Sequence, residues 1–302
     1  MKIAPLSKTS VEPNMISLHG GHSSDFCQHA GDPLAMIIAA YQEQGFATVG
    51  ITEHMPPLND DMRYPDEIAA GTPASDMHDR FGRYFETARR MQRELAPKMQ
   101  LLVGFETEWY PGAKDFINEL IDEYRPDYIV GSIHHVSGIG FDFNQECYTR
   151  ATKEAGGLDQ LYALYFDEQL ELLQSLRPPV MGHFDLIRLY DPDYTERISR
   201  PHIWSRIERN LEYISKYGLT MDMNMRAFMK GADEPYPCRA IVERARELGI
   251  DMVPGDDSHD VPSVGYKIGE AVHALESIGF DTDWNRIVDS ITSRIKYRNG
   301  NQ

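Results

Sequence analysis

Histidines and carboxylates in this sequence recur in short motifs, nearly all of which stand at the end of an apolar run. The motifs are LHGGHS with His19 and His22, FCQHA with His29, TEH with Glu53 and His54, GFETEWY with Glu106 and Glu108, GSIHHV with His134 and His135, GHFD with His183 and Asp185, MDMNMR with Asp222, Asn224 and Arg226, and GDDSH with Asp256, Asp257 and His259. Burying so many ionisable groups together is costly unless they are paired or bind metal. The set therefore predicts a metal centre, and imidazole with carboxylate oxygen suits zinc, manganese or iron.

The elements that must position these residues alternate between short apolar runs and longer segments of helical period. The strand-like runs cover 15–20, 47–52, 101–107, 128–133, 180–184, 219–225 and 251–255. The predicted helices cover 33–44, 77–95, 113–124, 158–176, 203–217 and 237–248, with two closing helices over 264–278 and 284–296. This alternation favours a parallel α/β sheet with crossover helices. In such folds the functional face lies at the carboxyl ends of the strands, where the motifs fall.

One domain is expected over residues 1–302, because no linker-like or low-complexity tract divides the chain and α/β barrels often reach this length. Residues 1–14 and 297–302 are expected to be loose termini. The longest irregular pieces, 56–75 and 138–147, each come directly after a histidine-bearing strand. Loops at those places are predicted to cover the site.

Charge and composition disfavour several classes of protein. A formal net charge of -17 disfavours extensive binding to nucleic acid phosphates. No apolar stretch is long enough for a membrane span and the N-terminal residues lack the apolar centre of a signal peptide, so a soluble protein of the cytoplasm is expected. The three cysteines, Cys27, Cys147 and Cys238, are widely spaced and are interpreted as reduced structural thiols.

The motifs, in their order along the chain, resemble the PHP family, named for polymerase and histidinol phosphatase domains, and most closely its monofunctional histidinol-phosphatase branch. The stretches that carry the resemblance are HGGHSSDFCQHA, GITEHMPP, GFETEW, GSIHH, MGHFDLI and EPYPCRAIVERARELGIDMVPGDDSHD. They span nearly the whole chain. The resemblance implies a distorted (βα)7 TIM-like barrel with a site for three divalent metal ions, which agrees with the seven runs.

The resemblance also implies the ligands of each metal. His19, His22, Glu106 and Asp257 hold the first, Glu106 is shared with His134 and His183 at the second, and His29, His54 and His259 hold the third. Glu106, Asp257 and His259 are the predicted catalytic residues. The motif GSIH points to His134 as the ligand, which leaves His135 as a neighbour that contacts substrate or supports a ligand residue.

The first motif departs from the family pattern HxH, because two glycines separate His19 from His22. In a regular strand, residues three positions apart lie on opposite faces. A bulge at Gly20 or Gly21 is predicted to restore their convergence, since glycine tolerates the backbone conformations that a bulge needs. Glu53 is expected to accept a hydrogen bond from a ligand histidine.

The implied reaction is hydrolysis of a phosphate monoester by a metal-dependent phosphatase, with L-histidinol phosphate as the substrate and a place in histidine biosynthesis. Metal ions lower the pKa of water and neutralise charge on phosphoryl oxygens, so a protein nucleophile is not required. Arg188, Arg226 and Lys230 are candidate phosphate contacts because guanidinium and ammonium groups complement anionic oxygens. Asp185, Glu108 and Asp222 are candidates for binding the substrate's ammonium group or for orienting ligand histidines.

Three other functions stay open at this point. A PHP-type phosphoesterase could act on nucleotides or other small phosphate esters, with Tyr64, Tyr110 and Tyr148 as aromatics that could stack on a base. A catalytically idle metal-binding scaffold would keep the ligands without turnover. A metal-dependent amidohydrolase would need a strand-borne lysine, which these motifs lack. Oligomeric state is not predicted.

Overall fold

A parallel seven-stranded sheet forms the centre of the computed structural model, which describes residues 15–96 and 98–299. Its strands are β1 (Ile16–Ser17), β2 (Thr48–Ile51), β3 (Gln100–Glu106), β4 (Tyr128–Gly131), β7 (Val180–Met181), β8 (Thr220–Asn224) and β9 (Asp251–Gly255). Two further strands, β5 (His135–Val136) and β6 (Ile139–Gly140), form a small separate hairpin. The order in the sheet is β1-β2-β3-β4-β7-β8-β9, so strands follow one another in chain order. All seven predicted runs therefore lie in one sheet.

The two edge strands of this sheet meet and nearly close it into a barrel. The backbone N–H of Leu18, just after β1, donates to the carbonyl of Pro254 in β9 at 3.1 Å. One step further along, the N–H of Asp257 donates to the carbonyl of His19 at 2.8 Å. Closure brings the first and last histidine motifs side by side at the carboxyl ends of the strands. The predicted TIM-like (βα)7 architecture is confirmed.

Helices cover the outside of the barrel. They are α1 (Leu34–Glu43), α2 (Pro65–Ala70), α3 (Ala74–Leu95), α4 (Ala113–Tyr124), α5 (Gln145–Ala155), α6 (Leu158–Leu176), α7 (Tyr194–Ile198), α8 (Pro201–Tyr217), α9 (Arg226–Met229), α10 (Arg239–Glu247), α11 (Ile268–Ile278) and α12 (Trp284–Asn299). Short 3-10 turns occur at Asp60–Met62, Leu186–Arg188 and Val261–Ser263. Each of the eight predicted helices is present, and α4 and α6 have the predicted bounds.

Four helices were not predicted, for two physical reasons. The helices α2, α7 and α9 contain only 6, 5 and 4 residues, too few to show a helical period. The helix α5 is longer but buries only Cys147, Tyr148 and Ala151, so its apolar stripe is weak. It begins instead with a local signal, the Asn144 side chain, which accepts the N–H of Cys147 at 2.9 Å.

Close packing inside the barrel depends on glycine at two strand positions. Tyr128 in β4 is fully buried, and its hydroxyl donates to the carbonyl of Leu18 across the barrel at 2.8 Å. A Cβ at Gly50 in β2 would lie 1.9 Å from that hydroxyl oxygen, and one at Gly104 in β3 would lie 2.7 Å from the Tyr128 carbonyl. The two glycines make room for the tyrosine, which fills the barrel and ties β4 to β1.

The two predicted loose termini, 1–14 and 297–302, lie largely outside the described residues. Residues 1–14 and 300–302 lie outside the described residues, and α12 continues as far as Asn299, three residues beyond the predicted helix end. In the part of the chain that is described, no helix combines the length and apolarity needed to cross a membrane. The extent of the domain over 1–302 stays a prediction.

Candidate metal centre

Glu106, the last residue of β3, lies at the centre of a ring of histidines. Its carboxylate is buried. The distances from its Oε1 are 2.9 Å to Nε2 of His183, 3.2 Å to Nε2 of His19 and 3.3 Å to Nε2 of His134, and those from its Oε2 are 3.2 Å to Nδ1 of His54 and 3.8 Å to Nε2 of His22. Five histidines from four different strand ends thus converge on one carboxylate. Such an arrangement suits a carboxylate that bridges metal ions.

The turn after β1 brings His19 and His22 to the same side. The strand ends at Ser17, and Gly20 and Gly21 follow with φ of 154° and 77°, conformations that side chains rarely adopt. A Cβ at Gly20 would lie 2.4 Å from Oδ1 of Asp256, and one at Gly21 would lie 2.6 Å from Cγ2 of Ile51. The predicted convergence is therefore present, produced by two glycines beyond the end of the strand rather than by a bulge within its ladder.

The remaining predicted ligands form two adjoining groups. In one group, ligand atoms of His22, Asp257 and His259 all lie within 4.8 Å of one another. In the other, ligand atoms of Cys27, His29, His54 and His259 meet the same criterion. All nine predicted ligands thus lie in one cluster. Cys27 was interpreted as a structural thiol, and burial with the nearby Glu53 raises its thiol pKa well above the ordinary value.

Two of the predicted ligands have left-handed backbone conformations. His183 has a φ of 21° and Asp257 a φ of 49°. Such conformations are costly for residues other than glycine and collect at functional sites. Asp222 holds the first of these turns, because its Oδ1 accepts the N–H of His183 at 2.6 Å.

His134, rather than His135, faces the centre of the cluster. The Nε2 of His134 approaches Glu106, and its Nδ1 lies 2.9 Å from Oε2 of Glu108. The Nδ1 of His135 lies 3.4 Å from the same Glu108 oxygen, and its ring lies against Tyr64 and Tyr110. His135 belongs to none of the ligand groups found among the described residues. The geometry agrees with the predicted choice between the two.

Two buried carboxylates fix histidine rings from behind, and a third lies near His22. Asp222 in β8 accepts from Nδ1 of His19 at 2.6 Å. Glu108 serves His134 in the same way, and its other oxygen lies 3.3 Å from Nδ1 of His54. Glu53 accepts instead from the N–H and hydroxyl of Ser23 at 2.8 and 2.6 Å. Its second oxygen lies 4.0 Å from Nδ1 of His22, too far for the hydrogen bond that was predicted between Glu53 and a ligand histidine. Carboxylates in this position set the ring orientation and the tautomer of a ligand histidine.

Burial and neighbouring charges divide the ionisable groups of the cluster. Burial opposes charge on His19, but Glu106 and Asp222 outweigh it and raise the pKa of His19 well above its usual value. Burial likewise disfavours the charged form of Glu106, yet His19 and His134 hold its pKa well below the usual range. Burial and the neighbouring His54 lower the pKa of His22 and so favour the neutral form, in which one ring nitrogen can bind a metal ion.

Unpartnered ring nitrogens show that the cluster suits metal ions. Within the described residues, Nε2 of His19, both ring nitrogens of His22 and Nδ1 of His54 are buried without a hydrogen-bond partner. Some approach carboxylate oxygens, but without the alignment of a hydrogen bond. Leaving so many buried polar atoms unsatisfied is costly. Metal coordination would satisfy them, so the donor set fits divalent cations.

A cavity of about 200 Å³ opens onto this cluster. The predicted residues in its wall are His29, His54, Glu106, His134, His183, Arg226, Lys230, Asp257 and His259. Sequence reasoning did not assign Asp142, Phe143, Leu186 or Tyr236 to the site, and it considered Tyr64 only for base stacking. Asp142, Phe143 and Tyr64 do lie in the two irregular pieces, 56–75 and 138–147, that were predicted to cover the site.

Three predicted substrate contacts, His135, Asp185 and Arg188, do not line this cavity. Nε of Arg188 donates to Oδ2 of Asp185 at 3.1 Å, and its Nη2 donates to the carbonyls of Glu234 and Pro235 at 3.0 and 2.6 Å. Both side chains are buried. The guanidinium also lies against the rings of Tyr194 and Tyr236. Asp185 and Arg188 form an ion pair that anchors the segment before α10 to the end of β7.

Comparison with known proteins agrees with this geometry. The PHP domain model matches residues 19–226. A probable histidinol-phosphatase of Schizosaccharomyces pombe is 35% identical over 268 residues, which cover 87% of this chain and 87% of the relative. A histidinol-phosphatase of Saccharomyces cerevisiae is 28% identical over 281 residues, which cover 82% and 84% of the two chains.

Solved structures show the same fold. A candidate histidinol phosphatase, hisK, of Listeria monocytogenes aligns with a TM-score of 0.72 and 26% identity, over 83% of this chain and 97% of that one. The histidinol phosphate phosphatase of Lactococcus lactis, solved with zinc, L-histidinol and phosphate, aligns with a TM-score of 0.68 and 19% identity, over 89% and 95%. With the family model and the S. pombe relative, the cluster identifies this chain as a member of the PHP domain family.

Proposed function

We propose that this protein is a metal-dependent histidinol-phosphatase, which hydrolyses L-histidinol phosphate to L-histidinol and phosphate. Relatives from two fungi carry that name and align over more than four fifths of the chain. The proposal places the enzyme in histidine biosynthesis and in the cytoplasm, and treats residues 1–302 as one domain.

The observation that carries the proposal is the convergence of the strand-end donors on Glu106. Donors from both ends of the chain, from His19 to His259, line or adjoin one cavity. We assign the metal ligands as His19, His22, His29, His54, Glu106, His134, His183, Asp257 and His259. Three divalent ions would use these nine side chains, and zinc, manganese and iron all suit the donor types. Metal ions held there supply Lewis-acid chemistry, since they make water more acidic and offset negative charge on phosphoryl oxygens.

The residues around the donors hold them in place. Asp222 and Glu108 each accept from the outward-facing Nδ1 of a ligand histidine, so the Nε2 lone pair is directed inward. Glu106, Asp257 and His259 line the cavity, and they remain the predicted catalytic residues. Burial of these groups excludes bulk water and strengthens electrostatic interactions with a bound anion.

The cationic side chains of the cavity wall suit the phosphate group. Arg226 begins α9 and Lys230 directly follows its last residue, and both line the cavity from the segment that follows β8. The backbone N–H of Arg226 donates to Oδ1 of Asn224 at 3.0 Å, which fixes the start of this helix beside the metal centre. Arg226 is close enough to Asp257 that its charge contributes to lowering the pKa of that carboxyl. We assign phosphate contacts to these two side chains.

Steady-state kinetics on a panel of phosphate esters test this proposal. The panel contains L-histidinol phosphate, a nucleoside monophosphate and a sugar phosphate, measured before chelation, after chelation and after metal add-back. We expect the highest kcat/KM on L-histidinol phosphate, loss of activity on chelation, and recovery with zinc, manganese or iron. A preference for the nucleoside monophosphate would favour a nucleotide phosphatase, and bound metal without turnover of any ester would favour a scaffold.

A further inference from the structure

One carboxylate in the cavity wall does not belong to the metal cluster. Three carboxylates line the cavity in the described residues: Glu106, Asp142 and Asp257. Glu106 and Asp257 lie against ligand histidines. Asp142, in the segment between β6 and α5, has its Oδ1 buried without a hydrogen-bond partner among residues 15–96 and 98–299. A buried carboxylate oxygen without a donor is costly, so the site lacks a cationic or hydrogen-bonding partner at this point.

The acidic residues that the sequence offered for an ammonium group are already engaged. Asp185 accepts from Arg188 and from the N–H of Cys238 at 2.9 Å. Asp222 holds His19, and Glu108 holds His134 and accepts from the Tyr64 hydroxyl at 3.0 Å. Asp142 has no such partner at its buried oxygen. Of these four acids, it alone lines the cavity, together with Arg226 and Lys230.

Two aromatic rings accompany Asp142. Tyr64 and Phe143 both line the cavity, and their ring centroids lie 6.3 Å apart. Tyr64 also lies beside the histidine cluster, with its ring centroid 5.8 Å from that of His29. Phe143 is 37% exposed, a large apolar side chain left at the cavity mouth. Rings so placed can receive a flat aromatic group and stabilise a nearby cation.

The Asp142 carboxylate faces the enclosed space rather than solvent alone. Its side chain lines the cavity, and its Oδ1 is buried. Burial raises the pKa of Tyr64 well above its ordinary value, and Glu108 and Asp142 raise it further. With Arg226 and Lys230 also in the wall, the cavity holds charges of both signs.

We propose that Asp142, Tyr64 and Phe143 form the subsite for the leaving alcohol, in which the Asp142 carboxylate pairs with an ammonium group and the two rings flank an aromatic group. The inference rests on the proposed function, because it assigns the alcohol side of the same ester. An ester of a cationic amino alcohol satisfies Asp142 at one end while its phosphate meets Arg226 and Lys230 at the other. Esters without the ammonium group leave Asp142 unpaired.

The test compares Asp142→Asn with wild type on two esters that differ in one group. The esters are L-histidinol phosphate and 3-(imidazol-4-yl)propyl phosphate, which lacks the ammonium. Because a hydrogen bond to a charged group is worth more than a neutral one, we expect kcat/KM on L-histidinol phosphate to fall about tenfold to a hundredfold, chiefly through KM. Activity on the deamino ester should change less than about twofold, since it makes no contact with Asp142. The matched control is Glu146→Gln, which removes the charge of an exposed residue in the first turn of α5, close to the same loop. This variant should behave as wild type.

A second variant tests the rings independently. Phe143→Ala should raise KM for both imidazole esters but not for glycerol phosphate. Because the Phe143 side chain is partly exposed, its removal should not unfold the protein, so a rise in KM would not be due to loss of folding. Equal losses on both imidazole esters in Asp142→Asn, or no loss on either, would overturn the assignment of Asp142. Wild-type activity on L-histidinol phosphate tests the proposed function separately. If wild type does not hydrolyse this ester, the proposed function and the subsite are both rejected. If wild type does hydrolyse it, but Asp142→Asn leaves the ratio of kcat/KM between the two esters unchanged, only the subsite is rejected.

Discussion

At the scale of single residues, the metal centre depends on buried acids that do not line the cavity. Asp222 is buried and accepts from the ring of His19 and the N–H of His183. Glu53 is buried and accepts from the N–H and hydroxyl of Ser23. The identity of most donors could be predicted, because nearly all of them stood in a motif at the end of an apolar run. The residue types alone could not divide the roles of Glu106 and Glu108, since the two acids have the same chemistry two residues apart. The family resemblance pointed to Glu106, and the structure places Glu106 within the ring of histidines and Glu108 behind His134.

Asp222→Asn is predicted to weaken metal binding. The aspartate accepts both Nδ1–H of His19 and the N–H of His183, and an amide offers a donor in place of one acceptor. Loss of such a supporting contact lowers metal affinity by about 10–100-fold. Competition titration with a coloured chelator measures the affinity, and the exposed Asp193→Asn is the control. Unchanged affinity would mean that Asp222 has no positioning role.

Arg188→Met separates a structural role from the predicted phosphate contact. The change strands the buried Asp185 without its ion-pair partner, so urea unfolding should show a loss of about 3–5 kcal/mol in the free energy of unfolding. The surface pair of Arg239 with Glu243 gives the comparison, because both side chains are exposed and Arg239→Met should leave the free energy of unfolding nearly unchanged. A large rise in KM without loss of stability would instead support a direct contact with phosphate.

At the scale of elements, strand ends place the donors and loops decide what surrounds them. The strands and eight helices followed from apolar periodicity, and β3 shows why: QLLVGFE is buried from its second residue to Glu106. The cavity wall did not follow, because Tyr64 and Phe143 lie in segments whose path is set by turns rather than by periodicity. Their loops were expected to cover the site, but which side chain would face it depends on tertiary packing.

Gly21→Ala is predicted to disrupt the turn between His19 and His22. A positive φ alone costs a residue with a side chain about 1–2 kcal/mol, and here the new methyl would also meet Ile51. Overpacking adds about 1–3 kcal/mol, and the displaced turn should carry His22 away from the cluster. Gly156→Ala is matched in φ, at 87°, but has nothing within 4 Å, so it isolates the backbone cost. Thermal unfolding and metal content check both effects, and equal losses in the two variants would count against the steric argument.

At the scale of the whole molecule, barrel closure makes one site from residues far apart in the chain. His19 stands near one end and His259 near the other, and the contact between β1 and β9 sets them side by side. The surrounding charge of -17 is partly offset wherever carboxylates bind divalent cations. Without metal, the same convergence leaves buried ring nitrogens unsatisfied, so the fold around the site should depend on the ions.

The most direct measurement follows metal content and phosphate release in one sample. Metal-stripped protein receives zinc in steps, and at each step mass spectrometry gives the zinc bound per chain while a phosphate assay follows L-histidinol phosphate. We predict no phosphate release from the stripped protein, activity that rises as zinc binds, and a plateau at three ions per chain. Full activity from protein that holds no metal, or a chain filled with zinc that releases no phosphate from this ester, would contradict the account.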